Sequence, residues 1–194
     1  EAVDDWAAVA GGVTTPQVAA EDVDLDGENE YLLYNDRLLG VFERSGGRLI
    51  GAWVRDLLSG RVFQAVGNQV GAAGSETEDE GTYNVSTNLG FGAYRTSGLK
   101  DWFATKGGGT SQYVNDLYTF TNWTNGWRMV SSDGDITKTV TLQPKSWAFA
   151  VQYGLAGGMA GQTLYLRTGL SPNLQDLLLN GQDTLGAEQH AGGL

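Results

Sequence analysis

The sequence predicts an all-β fold, a large antiparallel β-sandwich with a short C-terminal helix. Three observations carry that reading: short runs that alternate apolar and polar residues, polar or glycine-containing turns between them, and a composition rich in glycine (29) and poor in proline (3). Alternation with period two gives a strand one buried and one wetted face. Turns built on Asn, Asp or Gly between such runs are hairpin signals. At 194 residues the chain has ample length for a real core and reads as a single β-sandwich domain over residues 1–194.

The elements follow in order. Tyr31 to Tyr34, the Asn35-Asp36 turn and the run RLLGVFER form the first expected hairpin. Ser45-Gly46-Gly47 turns into RLIGAWVRD, and Leu58-Ser59-Gly60 into RVFQAVG. Residues 67–82 and 105–112 are small, polar and without period, so they read as loops. LYTFTNW, a Thr124-Asn125-Gly126 turn, WRMVSS, an Asp133-Gly134 turn and DITKTVTLQ give a second set of strands. In the last of these Ile136, Val140 and Leu142 share a parity with Lys138, opposite Thr137, Thr139 and Thr141. WAFAVQY places Trp147, Phe149, Val151 and Tyr153 on one side, and regular alternation assigns Trp53 and Trp147 to the core. The expected helix starts with Ser171 as N-cap and Pro172 at its first position, aligns Leu174, Leu177 and Leu178, and stops at Gly181.

Charge and composition exclude several function classes. A net charge of −11 and a pI near 4.3 argue against nucleic acid and anionic membrane surfaces as partners. Without cysteine there is no disulfide framework, thiolate chemistry or zinc-thiolate site. No apolar run approaches the ~20 residues that span a bilayer, and no basic segment followed by an apolar one opens the chain. The chain begins at EAVDDW without an initiator Met and ends at HAGGL, which reads as a piece of a longer polypeptide.

One stretch stands apart. Glu21, Asp22, Asp24, Asp26, Glu28 and Glu30 fall within residues 21–30, directly before the apolar YLLY. Asp22, Asp24 and Asp26 alternate, Gly27 follows at once, and Glu30 stands ninth counting from Asp22. Calcium takes six to eight oxygens, and loops of pattern DxDxDG supply them from positions one, three and five, with a backbone carbonyl at seven. Asp22, Asp24, Asp26, Glu28 and Glu30 are therefore candidate ligands of a structural calcium ion. Leu33 holds the twelfth place, where a helix-loop-helix site has Glu, so a shorter loop leading into a strand fits better. The plain alternative is an acidic surface turn without metal.

Catalytic constellations are sparse. His190 is the one histidine, and no GxSxG nucleophile motif exists to use it. The glycines of LGFGAY and of the Gly107–Gly109 run lack a Lys-Ser/Thr ending and read as loops. Paired carboxylates for glycoside hydrolysis depend on distances across a fold, so no residue is named as catalytic. Aromatic residues are more informative. Trp102, Trp123, Trp127, Tyr113 and Tyr118 lie near Asn, Asp and Lys residues, and such rings stack on the C–H faces of sugars while polar neighbours bind hydroxyls. A three-residue loop would make Trp123 and Trp127 direct cross-strand neighbours. A core or turn-stabilising pair is the competing reading for those two.

DVDLDGENEYLLYNDRLLGVFERSGGRLIGAW resembles the opening of the β-sandwich domain that follows the catalytic barrel in bacterial and archaeal α-amylase/4-α-glucanotransferase-type glycoside hydrolases. DITKTVTLQPKSWAFAVQYGL is similar to a strand pair of galactose-mutarotase-like sandwiches, and TLYLRTGLSPNLQDLLLNGQ to a further strand and helix. The resemblance implies a mutarotase-like super-sandwich and a carbohydrate context. It does not imply epimerisation, for which mutarotases use two His and a Glu, and this chain has one His. The expected function is a non-catalytic carbohydrate-binding or accessory module with a calcium-stabilised loop. Its expected partners are an α-glucan and the catalytic domain of its parent chain, in an extracellular or periplasmic setting. The alternatives are a small sugar-active enzyme working through paired carboxylates, and a calcium-stabilised adhesion or structural module without sugar affinity.

Overall fold

The computed structural model describes residues 2–23, 25, 27–67, 98–99, 113 and 116–157. Trp102 and the helix expected from Ser171 lie outside the described residues, as do Asp24 and Asp26. Two antiparallel sheets pack face to face, as the alternating pattern predicts. The first holds β1 (Gln17–Glu21), β2 (Glu30–Tyr34), β3 (Leu38–Glu43), β4 (Arg48–Arg55) and β5 (Val62–Val66). The second holds β6 (Thr119–Trp123), β7 (Gly126–Val130), β8 (Ile136–Leu142) and β9 (Phe149–Leu155). In each sheet the strands lie in chain order.

An N-terminal helix, the short 3-10 turn that follows it and strand β1 escaped the sequence reading. The helix α1 (Ala2–Val9) is Ala-rich, carries Asp4 and Asp5 in its first turn, where the helix dipole favours anions, and buries Trp6. Strand β1 lacks the aromatic and β-branched density of its neighbours, and pairing with β2 is what makes it a strand. Because α1 covers the outer face of the first sheet, its central strands β2 to β4 are largely buried on both sides. Leu33, Leu38 and Phe42 face the second sheet, while Leu32, Leu39 and Val41 form a separate cluster with Trp6 and Ile50. This explains why β3 reads as an almost unbroken apolar run rather than an alternating one. Each such side chain contributes about 1.5–3 kcal/mol on burial.

The inter-sheet core is an aromatic lattice. Tyr31 stacks on Phe120 at 3.8 Å between centroids, and Trp127 meets Tyr31 edge-on at 5.2 Å. Trp127 Nε1–H also donates to Leu32 O at 2.9 Å, bolting β7 to β2. Gly40 has to be glycine: a Cβ there would sit 2.6 Å from the ring of Phe149, which packs in from β9. The β8 alternation holds to the letter, with Ile136, Lys138, Val140 and Leu142 buried and the three threonines half-buried. Lys138, 1% exposed, donates to Gly46 O at 2.7 Å and Leu99 O at 2.9 Å, and its ammonium sits 5.1 Å from the Tyr118 ring centroid. A core position thus holds a charge because backbone carbonyls and an aromatic face solvate it.

Candidate functional site: one end of the sandwich and the outer face of the second sheet

The β2–β3 turn, the β6–β7 turn and the β8–β9 loop meet at one end of the sandwich. Asn35 joins them. Its Nδ2 donates to Gln143 O at 3.0 Å and Ser146 O at 2.9 Å, and its Oδ1 accepts from the amides of Arg37 and Leu38. Its own carbonyl accepts the indole N–H of Trp6 at 2.8 Å. The amide of Leu142 donates to Asn125 O, which ties in the β6–β7 turn.

That turn has two central residues rather than the three expected. Trp123 pairs with Gly126, and Asn122 with Trp127, while Asn125 takes a left-handed φ of 56°. Opposed residues of an antiparallel pair share a face, so Trp123 and Trp127 lie on opposite sides of the sheet. Trp127 is 5% exposed and Trp123 is 52% exposed. The two residues expected to be direct cross-strand neighbours are therefore split into one core residue and one surface residue.

Trp123 sits on the outer face of the second sheet. Register places Gly126, Thr141 and Ala150 in its cross-strand row, and Thr121, Arg128, Thr139 and Gln152 in the next. Arg128 is a diagonal neighbour of Trp123, within reach of an aromatic side chain. It makes no ion pair among the described residues. The two rows offer an exposed indole, a guanidinium, hydroxyls and an amide on one face of the sheet. Chemically this is a stacking face with hydrogen-bond donors and acceptors around it.

Other aromatic candidates fall inside. Tyr118 is fully buried beneath Lys138, and Trp127 belongs to the aromatic lattice. Tyr113 is buried and its hydroxyl donates to Asp135 Oδ2 at 3.2 Å. Burial, joined by hydrogen bonds and charge from Asp133 and Asp135, pushes the Tyr113 hydroxyl up to about 12. None of these three rings offers a face to a sugar: each completes the space between sheets, which period-two alternation alone does not distinguish from a surface platform. Trp147 departs in the other direction. Expected in the core, it is 47% exposed because it precedes β9 on the β8–β9 loop, and the Arg37 guanidinium lies over its ring at 5.3 Å. The Pro144-Lys145 turn just before it was the sequence signal that the strand had not yet begun.

The acidic stretch proves to be the β1–β2 hairpin loop, at the opposite end. Glu21 pairs with Glu30 in register, so the first and ninth positions of the expected calcium loop, Asp22 and Glu30, are brought together. Glu30 is buried and accepts the Val23 amide at 2.7 Å, and Asp22 accepts the Gly27 amide at 3.1 Å. Gly27 at φ 94° and Leu25 at φ 66° make the sharp bends. Among the described residues no group of three or more His, Asp or Glu gathers as a metal cluster, and Asp24 and Asp26 lie outside them.

No family model matches the chain, and no curated protein matches it. A solved structure of a 4-α-glucanotransferase from Thermococcus litoralis is similar, with 15% identity and a TM-score of 0.47, over 71% of this chain and 24% of that one. This chain thus spans about a quarter of that protein's length. A likeness at this level assigns no function.

Proposed function

We propose that this chain is a non-catalytic carbohydrate-binding or accessory module of a glycoside hydrolase acting on α-glucans, built as a mutarotase-like sandwich. The observation that carries the reading is the exposed Trp123 on the outer face of the second sheet, beside Arg128 and rows of threonine hydroxyls. Aromatic rings with a few polar neighbours bind sugar rings through stacking and directed hydrogen bonds. The α-glucan follows from the resemblance of residues 22–53 to the domain behind the barrel of amylase-type hydrolases. The same resemblance gives a parent catalytic domain as partner and an extracellular or periplasmic setting.

Calcium belongs to the same proposal. The hairpin brings Asp22 beside Glu30, which suits a loop whose first and ninth positions share an ion. Asp22, Asp24, Asp26, Glu28 and Glu30 would hold it, and the ion would pin the loop and neutralise the charges that crowd it. Affinity electrophoresis in gels containing amylopectin tests the main reading. Retardation of the wild type that Trp123→Ala abolishes, with an unchanged melt, supports it. Equal mobility in gels with and without glucan removes it.

A further inference from the structure

We propose a second sugar subsite at Trp147, which takes another ring of the same neutral α-glucan chain that Trp123 holds; it rests on the carbohydrate-binding reading above. Three features of the β8–β9 loop argue for it. The Trp147 ring is backed on one side by the Arg37 guanidinium, and nearly half of the residue is open to solvent. A half-exposed aromatic ring with a cation against it is a surface onto which a pyranose lays its C–H face.

The backbone on either side of the ring is also held in place before any ligand arrives. Ser146 N–H donates to Gln143 O at 3.1 Å, and Asn35 Nδ2 donates to the carbonyls of both residues. Just past the ring, Ala148 N–H donates to Ser146 Oγ at 3.1 Å, and that hydroxyl donates back to Ala148 O at 2.9 Å. Within this turn Lys145 keeps a left-handed φ of 59°, where glycine would sit without strain. Ordering an exposed side chain on binding costs affinity, and a loop fixed on both sides of Trp147 has little left to lose.

The polar groups complete the site. Arg37 Nε lies 3.4 Å from Asp36 Oδ2, while Asp36 Oδ1 is shielded from solvent and accepts no hydrogen bond. The Arg37 and Asp36 side chains keep 22% and 19% of their surface exposed, so part of this donor–acceptor pair can meet a sugar hydroxyl. Trp147 and Trp123 stand at the same end of the second sheet, near its opposite edges. Strands β6 and β9 are three strand spacings apart, on the order of 15 Å. Trp147 lies just ahead of β9, against Arg37 of the β2–β3 turn, so only a chain of several sugar units reaches both tryptophans.

Chain length is therefore the test. Calorimetric titration with maltose and with maltoheptaose would be run on wild type, Trp147→Ala, Trp147→Phe and Trp123→Ala. Trp147→Ala is expected to weaken maltoheptaose about tenfold, to change maltose binding far less, and to leave the melting temperature in place. Trp147→Phe, which keeps a stacking face, should retain most of the affinity. Unchanged maltoheptaose binding in Trp147→Ala, with Trp123→Ala weakened, overturns the subsite while the carbohydrate reading stands. A Phe variant as weak as the Ala variant also overturns it. Absence of any glucan binding by the wild type overturns the subsite and the reading beneath it together.

Discussion

Asn35 and Ser146, 111 positions apart in the chain, are joined by a 2.9 Å hydrogen bond from Asn35 Nδ2 to Ser146 O. Both Asn35 side-chain atoms are engaged twice, in a buried position where water cannot replace lost partners. Asn35→Ala leaves two amides and two carbonyls short of partners and should cost about 3 kcal/mol or more. Asn35→Asp keeps the acceptor but sets a carboxylate against two carbonyl oxygens, and is expected to be worse. Urea denaturation of the three proteins gives the ranking, and an Asp variant as stable as wild type would refute it.

The two tryptophans of the β6–β7 hairpin should behave oppositely. Trp127→Phe keeps much of the packing but loses the bond to Leu32 O, for a loss of about 1–2 kcal/mol. Trp123→Ala touches a surface position and should stay within about 0.5 kcal/mol of wild type. Matched thermal melts decide the matter: equal losses would mean that Trp123 is packed after all.

Tyr113 makes stability fall in alkaline solution. Its folded-state pKa lies above the ordinary 10, so the folded protein holds the proton more tightly than the unfolded chain. The contribution is complete below pH 10 and drains away between pH 10 and about 12, as the unfolded chain ionises first. Tyr113→Phe cannot ionise and should lose less stability than wild type across that window. Denaturation midpoints at pH 8 and pH 11 measure this, and parallel declines would reject the assignment.

Chelation is expected to lower the melting temperature of calcium-loaded protein by several degrees, which corresponds to about 1–2 kcal/mol for a domain of this size. Asp22→Asn retains an acceptor for the Gly27 amide while removing a charged ligand, and should abolish the sensitivity. Identical wild-type melts in calcium and in chelator would show that the loop is an acidic turn and nothing more.

Much of the architecture was legible because burial in this chain follows parity. The β8 residues Ile136, Lys138, Val140 and Leu142 read as one face and are one face, charge included. The turns at Asn35-Asp36, Ser45–Gly47 and Thr124-Asn125 announced themselves by residue type. What parity does not encode is which surface a strand residue meets. Tyr118 and Trp127 look like any exposed aromatic in sequence, and only the arrival of the first sheet buries them. Trp147 shares a parity with Phe149 yet stands outside the strand, since the Pro144-Lys145 turn delays β9 until Phe149. Strand β1 was invisible for a related reason: QVAAE carries a weak signal that the β2 edge makes good.

Strand order equals chain order in both sheets, and this has a kinetic consequence. Each sheet can assemble by adding neighbouring hairpins, with short loops to close and little entropy lost at each step. The contacts that unite the layers are of another kind, since the Trp127–Leu32 and Asn35–Ser146 bonds close spans of 95 and 111 residues. Loop-closure entropy predicts that such closures form late, after two locally organised halves have found each other. Substitutions at Asn35 should therefore speed unfolding while leaving the refolding rate almost untouched.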